Sequence, residues 1–434
     1  MSKHHYLTAI DIGTDKCTTL IATREPEVGL KVTGVSAISS KGMRKSQIVD
    51  LEQVLSTVSE SVDGAERMAG QEIESAYVSV SGAHISSLNS KGVVAVAAPN
   101  QEITPEDVHR VIEAARAISL SSEREIIHVI PKDFKVDSQE GIKDPVGMTG
   151  VRLESEAHII TGMSTTLRNS EKVLRDLGIT VDGFVFSGLA AAQVVLSETE
   201  KELGVAIIDI GAGTTSLCVY IDGSLTYSDS IPVGARHITQ DIALGCRVSI
   251  DAAEEIKLQI SNESETVLKP IAGESKQDFQ KRRKASDMLD ITGITGDPHA
   301  EPLSKSSIVD AIMTPRIKEI FSLVHEKLEQ KNVLADIPAG IVITGGGART
   351  AHLVSIAKRE LKLPARIGTP KEISGILSDI NNPSYVTSIG LLEYGAQTLP
   401  AASSSEFSLP SFSGTPSFET IKKKLLQLLK SILP

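Results

Sequence analysis

Apolar residues arrive along this chain in two rhythms, short unbroken runs and stripes spaced by three and four, and their alternation predicts an α/β protein. The most continuous run is Val205-Ala-Ile-Ile208, the pattern of a strand buried on both faces. Asp209 ends it, and Gly211 and Gly213 flank Ala212. Thr214, Thr215 and Ser216 follow, and an apolar stretch at 217–221 leads to Asp222-Gly223. This reads as strand, glycine turn, strand. The segment from Tyr6 to Ala22 repeats the plan, with Ile10-Asp11-Ile12-Gly13 matching Ile208-Asp209-Ile210-Gly211. Such a repeat predicts two similar domains.

Around the first copy, residues 30–37 and 76–81 read as strands, and 49–69 carries Val54, Val58, Val62, Ala65 and Met68 at helical spacing. Residues 84–163 break the rhythm. Short strands are predicted at 93–97, 126–130, 133–136 and 157–160, with a Gly/Pro segment at 141–147. A helix opens at Thr104-Pro105 and runs to about 118, with a threonine cap and a proline in the first turn. The whole reads as a small separate α+β subdomain. Helices at 164–177 and 187–196 flank a strand at 183–187. The second of these is built of small residues that suit close packing and a hinge between the two hairpins. Beyond the second hairpin, helices are expected at 240–244, from the cap Ser249 through Lys257, and at 309–330. A strand and triple-glycine turn at 338–347 lead into a helix to about 361, with the glycines at its N-terminus. Residues 261–305, polar and carrying Lys281-Arg-Arg-Lys284, read as a solvated loop.

A glycine turn between strands can set backbone N–H groups and threonine hydroxyls around a phosphate. An aspartate at the strand end can hold a hydrated Mg2+ beside it. A dinucleotide fingerprint would run from strand into helix, and the residues after Gly213 are poor helix formers. Taken singly, each glycine turn reads equally well as a tight hairpin that needs positive φ. The duplication favours two phosphate turns facing one nucleotide. Glu254 and Lys257, three apart on one helix face, suit a ribose and an adenine edge; spacing alone favours an ordinary exposed ion pair.

Composition removes several classes. Aromatics are 3% of the 434 residues and tryptophan is absent, against base-stacking or carbohydrate platforms. A net charge of −11 argues against nucleic-acid binding. Cys17, Cys218 and Cys246 lack metal-ligand spacing and read as buried thiols in a reducing cytosol. No signal-peptide pattern precedes the first strand, and no apolar run is long enough to span a bilayer. The last residues differ from the rest. A Ser/Pro-rich linker at 398–416 precedes a segment, 417–434, in which Phe418, Ile421, Leu425, Leu428, Leu429 and Ile432 share one helical face. Lys422, Lys423, Lys424 and Lys430 occupy the remainder. A tethered basic amphipathic helix is the pattern of an interfacial membrane anchor; a helix docked on its own domain or on a partner is the other reading.

These segments together resemble the FtsA family of bacterial cell-division proteins, within the actin, heat-shock-70 and hexokinase superfamily. The likeness runs from about residue 6 to 397, with a matching tail. It rests on His128-Val-Ile-Pro131, Gln139-Glu-Gly-Ile-Lys-Asp-Pro-Val-Gly-Met-Thr-Gly-Val-Arg152, Ser187-Gly-Leu-Ala190, the segment 202–214 and Gly340-Ile-Val-Ile-Thr-Gly-Gly346. The resemblance implies a duplicated, ribonuclease H-like, actin-like α/β fold. Subdomain 1A would occupy 6–83 and 164–197, 1C 84–163, 2A 198–245 and 325–397, and 2B 246–324, before the linker and the helix. It implies ATP and Mg2+ between the halves. Asp11, Gly13, Thr14 and Lys16 match the first phosphate motif, and Asp209, Gly211, Gly213, Thr214 and Thr215 the second. Glu254 and Lys257 match the ribose and adenine helix, reversing the reading from spacing alone. Gly345, Gly346, Gly347 and Arg349 match the adenosine loop, and Asp11 and Asp209 would hold the metal through water.

The implied function is that of a filament-forming ATP binder at the division septum, on the cytoplasmic face of the inner membrane. It would tether FtsZ through 2B, recruit later division proteins through 1C, and meet anionic lipid through the C-terminal helix. The polar segment at about 272–305 is longer than the family pattern, and Gly234-Ala235 departs from a paired glycine. No carboxylate stands on 187–192, where chaperone-like relatives carry a glutamate, which implies slow or absent hydrolysis. A metabolite kinase of the superfamily would need a catalytic aspartate for a hydroxyl substrate. A pilus-assembly relative would lack this tail, a cell-shape actin would carry a different insertion, and a chaperone would need a substrate-binding domain after residue 397.

Overall fold

The computed structural model describes residues 6–25, 29–96, 102–263, 271, 274–370, 374–375 and 380–398. The first half opens with the antiparallel hairpin β1 (Tyr6–Ile12) and β2 (Lys16–Glu25), followed by β3 (Gly29–Ser39) on the far edge of β2. A small hairpin, β4 (Met43–Arg44) and β5 (Gln47–Ile48), precedes α1 (Leu51–Ala69). Asp50 caps α1 by accepting from the Gln53 N–H, and Gly70 closes it at φ 66°. Val54, Val58, Val62 and Ala65 form its buried stripe, while Met68 falls outside it and is exposed. β6 (Ser75–Val80) then runs parallel to β1.

β7 (Ser86–Ala95), α2 (Pro105–Arg116), β8 (Arg124–Val136), β9 (Gln139–Ile142) and β10 (Arg152–Met163) leave this sheet and form one of their own, in the order β7-β10-β8-β9. Its core gathers Ile103, Val111, Phe134, Val136, Ile142 and Leu153. Thr104 and Asp107 close a reciprocal capping box at the start of α2. The stretches predicted at 126–130 and 133–136 are one strand. Pro131 lies beside the register shift between β8 and β10, the kind of position at which a strand tolerates proline. β7 begins at Ser86 rather than at 93, because its polar first half, which shows no apolar alternation, ladders with β10 as far as Ser86–Thr161.

α3 (Ser164–Asp176) and β11 (Thr180–Phe186) return to the first sheet, β11 pairing parallel to β6. α4 (Ser187–Val195) is almost wholly buried, and α5 (Glu198–Leu203), absent from the sequence expectation, follows on a Ser197–Glu200 capping box. The second half repeats the first. β12 (Val205–Ile210), β13 (Thr215–Ile221) and β14 (Ser224–Ile231) pair antiparallel in succession. α6 (Ala235–Cys246) and α7 (Ile250–Glu263) come next. The expected loop at 261–305 contains α8 (Lys276–Asp287), capped by Ser275 and with no buried residue, so its helix leaves no apolar stripe to read. β15 (Met288–Leu289), a single turn α9 (Thr292–Thr295), β16 (Leu303–Ser304) and α10 (Lys305–Ile308) complete this insertion.

A π-helical turn, Val309–Met313, leads into α11 (Thr314–Gln330), where Pro315 in the first turn has no N–H for the preceding turn. β17 (Gly340–Thr344), α12 (Leu353–Leu361) and β18 (Ala365–Ile367) finish the second sheet, and β19 (Ser374–Gly375) and α13 (Val386–Thr398) return to the first half. The glycines of 345–347 do not open α12. They lie in and beside a 3₁₀ turn, Gly346–Arg349, and α12 starts only after His352 at φ 61°.

The two main sheets have one topology. Each central strand (β1, β12) takes an antiparallel hairpin on one side and two parallel strands on the other: β6 and β11 in the first, β17 and β18 in the second. β12 is buried along its whole length, as its unbroken apolar run predicts. The tail segment 417–434, including the expected membrane residues, lies outside the described residues, as does nearly all of the linker.

Candidate functional site

The two glycine turns close with the same hydrogen bond. Gly13 N–H donates to the Lys16 carbonyl at 3.0 Å, and Gly211 N–H to the Thr214 carbonyl at 2.9 Å. They face each other: a Cβ on Gly213 would fall 2.5 Å from Thr14 Oγ1. The Arg236 guanidinium also donates to the Thr14 carbonyl, at 3.4 Å. Between them opens a cavity of about 300 Å³, the scale of a small-molecule site. Of the expected site residues, Asp11, Gly13, Thr14, Lys16, Asp209, Gly211, Gly213, Thr214, Glu254, Lys257, Gly345, Gly346, Gly347 and Arg349 all line it. Thr215 does not. It is fully buried and its hydroxyl donates to the Val233 carbonyl at 2.8 Å, because strand alternation turns it to the opposite side from Thr214.

Asp11 and Asp209 stand at matching places on the two central strands. Asp11 accepts from Ser79 Oγ at 2.5 Å and Asp209 from Thr387 Oγ1 at 3.3 Å. Burial pushes both carboxyls up, Asp209 to about 7 with the nearby Asp11 charge adding to the rise. Burial lowers the Lys16 ammonium, which lies 3.7 Å from the Tyr385 ring centroid and donates to Ser384 Oγ at 3.3 Å. Two carboxyls raised by burial, Asp209 further by its neighbour's charge, are a pair that a divalent cation would relieve. Among the described residues no cluster of three or more His, Cys, Asp or Glu surrounds a point, so such a cation would take its other ligands from phosphate and water.

At the other wall Glu254 and Lys257 form the ion pair that spacing alone suggests, but the lysine is buried rather than exposed. Lys257 is buried, and its ammonium donates to Glu254 Oε2 at 2.7 Å and to Thr239 Oγ1 at 3.0 Å. Gly345, at φ 85°, lets the loop after β17 reach β12; a Cβ there would fall 2.3 Å from Asp209 Oδ1. Arg349 is exposed at the rim and donates to Asn262 at 3.4 Å. Sequence reasoning missed Ser46, Ser81, Ser187, Ser216, Arg236, Ser384 and Thr387, which also line the cavity. Scattered hydroxyls carry no spacing signal. α4 contributes Ser187, hydrogen-bonded to Ser216 at 2.8 Å, and no carboxylate.

The family model described as "SHS2 domain inserted in FTSA" matches residues 82–161, which include the separate four-stranded sheet, and that described as "Cell division protein FtsA" matches residues 206–390. The chain is 35% identical to Cell division protein FtsA of Pseudomonas aeruginosa over 90% of its own length and 89% of the relative's. With the protein of the same name from Escherichia coli K12 it shares 35% identity, over 90% of each. Among solved structures, the PilM-PilN type IV pilus biogenesis complex matches with a TM-score of 0.59 at 14% identity, covering 90% of this chain and 98% of that one. MreB 5 of Spiroplasma citri bound to AMPPNP matches at 0.50 and 15%, covering 98% of both. The fold, with its duplicated sheets, is therefore actin-like. Since the likeness of sequence extends across nine-tenths of the curated relatives and both family models fall on this chain, it belongs to the FtsA family of cell-division proteins.

Proposed function

We propose that the chain binds ATP with Mg2+ in the cleft between its two sheets and acts in division as an ATP-dependent tether of FtsZ to the membrane. The observation that carries the nucleotide reading is the pair of glycine turns, closed by the same hydrogen bond and facing each other, each beside a carboxylate. Backbone N–H groups, Thr14, Thr214 and Lys16 would take the phosphates. Asp11 and Asp209 would hold the metal through water. Glu254 and Lys257 would meet the ribose and adenine, with Gly345 to Gly347 letting the loop approach the base. A solved relative in fold, MreB 5 of Spiroplasma citri, was captured with AMPPNP, which supports the assignment. With no carboxylate on α4 at the cavity, hydrolysis is slow or absent; rapid single-turnover hydrolysis would overturn this.

FtsZ would dock on the insertion after α7, later division proteins on the four-stranded sheet, and further copies of the chain would extend a filament. Among the described residues no helix is long and apolar enough to cross a membrane. The tail at 417–434 supplies the anchor in this reading, its apolar face in the acyl boundary and its lysines on anionic headgroups. One such helix holds weakly, so attachment would need several copies acting together. Co-sedimentation with anionic vesicles, with Mg-ATP and with or without FtsZ, tests the tether. The full chain should pellet and carry FtsZ down, and a chain ending at Pro416 should do neither. Recovery of both forms in the supernatant would refute membrane attachment.

A further inference from the structure

One hairpin at the phosphate end of the cleft belongs to neither glycine turn. The tip between β4 and β5 is Lys45-Ser46, and both residues are left-handed, at φ 49° and 58°. Two-residue hairpin loops of this kind favour Asn-Gly. Lysine and serine persist there only when the surroundings over-determine the backbone. The surroundings here are the two phosphate turns. Ser46 N–H donates to Thr14 Oγ1 at 2.9 Å, and Ser46 Oγ lies 3.0 Å from Thr214 Oγ1. Ser81 Oγ donates to Ser46 Oγ at 3.0 Å and stands 3.4 Å from Thr214 Oγ1. Gly213 makes room for the tip, since a Cβ there would fall 2.9 Å from Lys45 Cα.

We propose that the β4–β5 hairpin is a third phosphate-binding segment, in which Ser46 binds the terminal phosphate of ATP and so separates ATP from ADP. This rests on the reading of the cleft as an ATP site. Ser46, Ser81 and Thr214 bring three hydroxyls to one point on the cavity wall. Hydroxyls satisfying one another can rotate and donate to an acceptor-only phosphate oxygen. The Arg236 guanidinium, bonded to the Thr14 carbonyl, adds positive charge at that end. The hairpin's hydrogen bonds run to Thr14, Ser81 and Thr214, while the Glu254–Lys257 pair stands on the adenosine wall, so the nucleotide group nearest Ser46 is the phosphate farthest from the ribose. Ser46 also joins turns from both halves, so a phosphate bound there closes the cleft.

The test is calorimetric titration of Mg-ATP and Mg-ADP into the full chain, its Ser46→Ala variant and its Ser46→Gly variant. Ser46→Gly keeps the N–H bond to Thr14 and suits the left-handed backbone, so its unfolding temperature without nucleotide should not fall. Both variants should bind ATP about tenfold more weakly, the effect of losing one hydrogen bond to a charged group, and ADP within about twofold of the parent. Equal weakening of both nucleotides, or of neither, would make the hairpin a structural clamp and overturn the inference with the ATP site intact. A parent chain that bound neither nucleotide would refute the ATP site itself and the inference with it.

Discussion

Gly345 shows what a single residue decides. Its φ of 85° and the 2.3 Å between its absent Cβ and Asp209 Oδ1 mean that any side chain displaces either the loop or the carboxylate. Gly345→Ala should destabilise the protein by about 2 kcal/mol or more through strain and overpacking, read by denaturant unfolding. Asp209 should leave its place as well, so nucleotide affinity should fall further than stability alone explains. Two buried histidines weaken the fold in acid. His128 Nε2 accepts from the Phe186 N–H at 3.0 Å, and burial lowers its pKa to about 4. His158 lies between Asn89 and Ser228, and burial, with Lys132 nearby, lowers it to about 3. Both are neutral when folded, and the unfolded chain binds their protons first, near 6.5. The histidines' contribution is therefore whole above pH 6.5 and lost as pH falls toward 4 and then 3, by roughly 3 kcal/mol for His128 and roughly 5 kcal/mol for His158, while Asp209, raised to about 7, acts in the opposite sense as it takes up its proton. Urea unfolding across that range checks it, and His158→Gln should flatten part of the slope.

At the scale of elements, α4 and α13 cross so closely that a Cβ on Gly390 would lie 2.0 Å from the Ala190 carbonyl oxygen. Gly390→Ala should force the helices apart and cost several kcal/mol, whereas Gly293→Ala, with nothing within 4 Å, should be near neutral. Thermal unfolding of the pair separates crowding from a general glycine effect. Elements with an apolar stripe or a cap were legible: α1 with Val54, Val58 and Val62, α2 with Thr104-Pro105, and β12 with its apolar run. β7 was half legible, since only Gly92 among its ten residues is buried. Its first half is held by the ladder to β10 and by polar bonds to β14. Ser87 Oγ donates to the Ser228 carbonyl at 2.6 Å, and Ser228 N–H to Ser87 Oγ at 3.2 Å. Such a seam leaves no periodicity. α8 was illegible for the opposite reason, since its helix buries nothing.

At the scale of the whole molecule, the anchor proposed for 417–434 is tested apart from the cleft. Replacing Leu428 and Leu429 with glutamate would put charge in the acyl boundary and should release the protein from anionic vesicles. Nucleotide binding measured on the same variant should be unchanged, and retention on vesicles would count against the tail as anchor. By itself the sequence determined the duplication, the two glycine turns and the carboxylate beside each, because strand burial and positive φ impose residue types that survive in a one-dimensional pattern. Tertiary structure alone decided that Thr214 lines the cavity while Thr215 does not, and that Lys257 is a buried partner of Glu254 rather than half of an exposed pair. It also decided that Ser46, 168 residues from Thr214, meets its hydroxyl at the cavity wall. A serine binds by where its hydroxyl is carried, and only the packing of the two halves against each other carries it there.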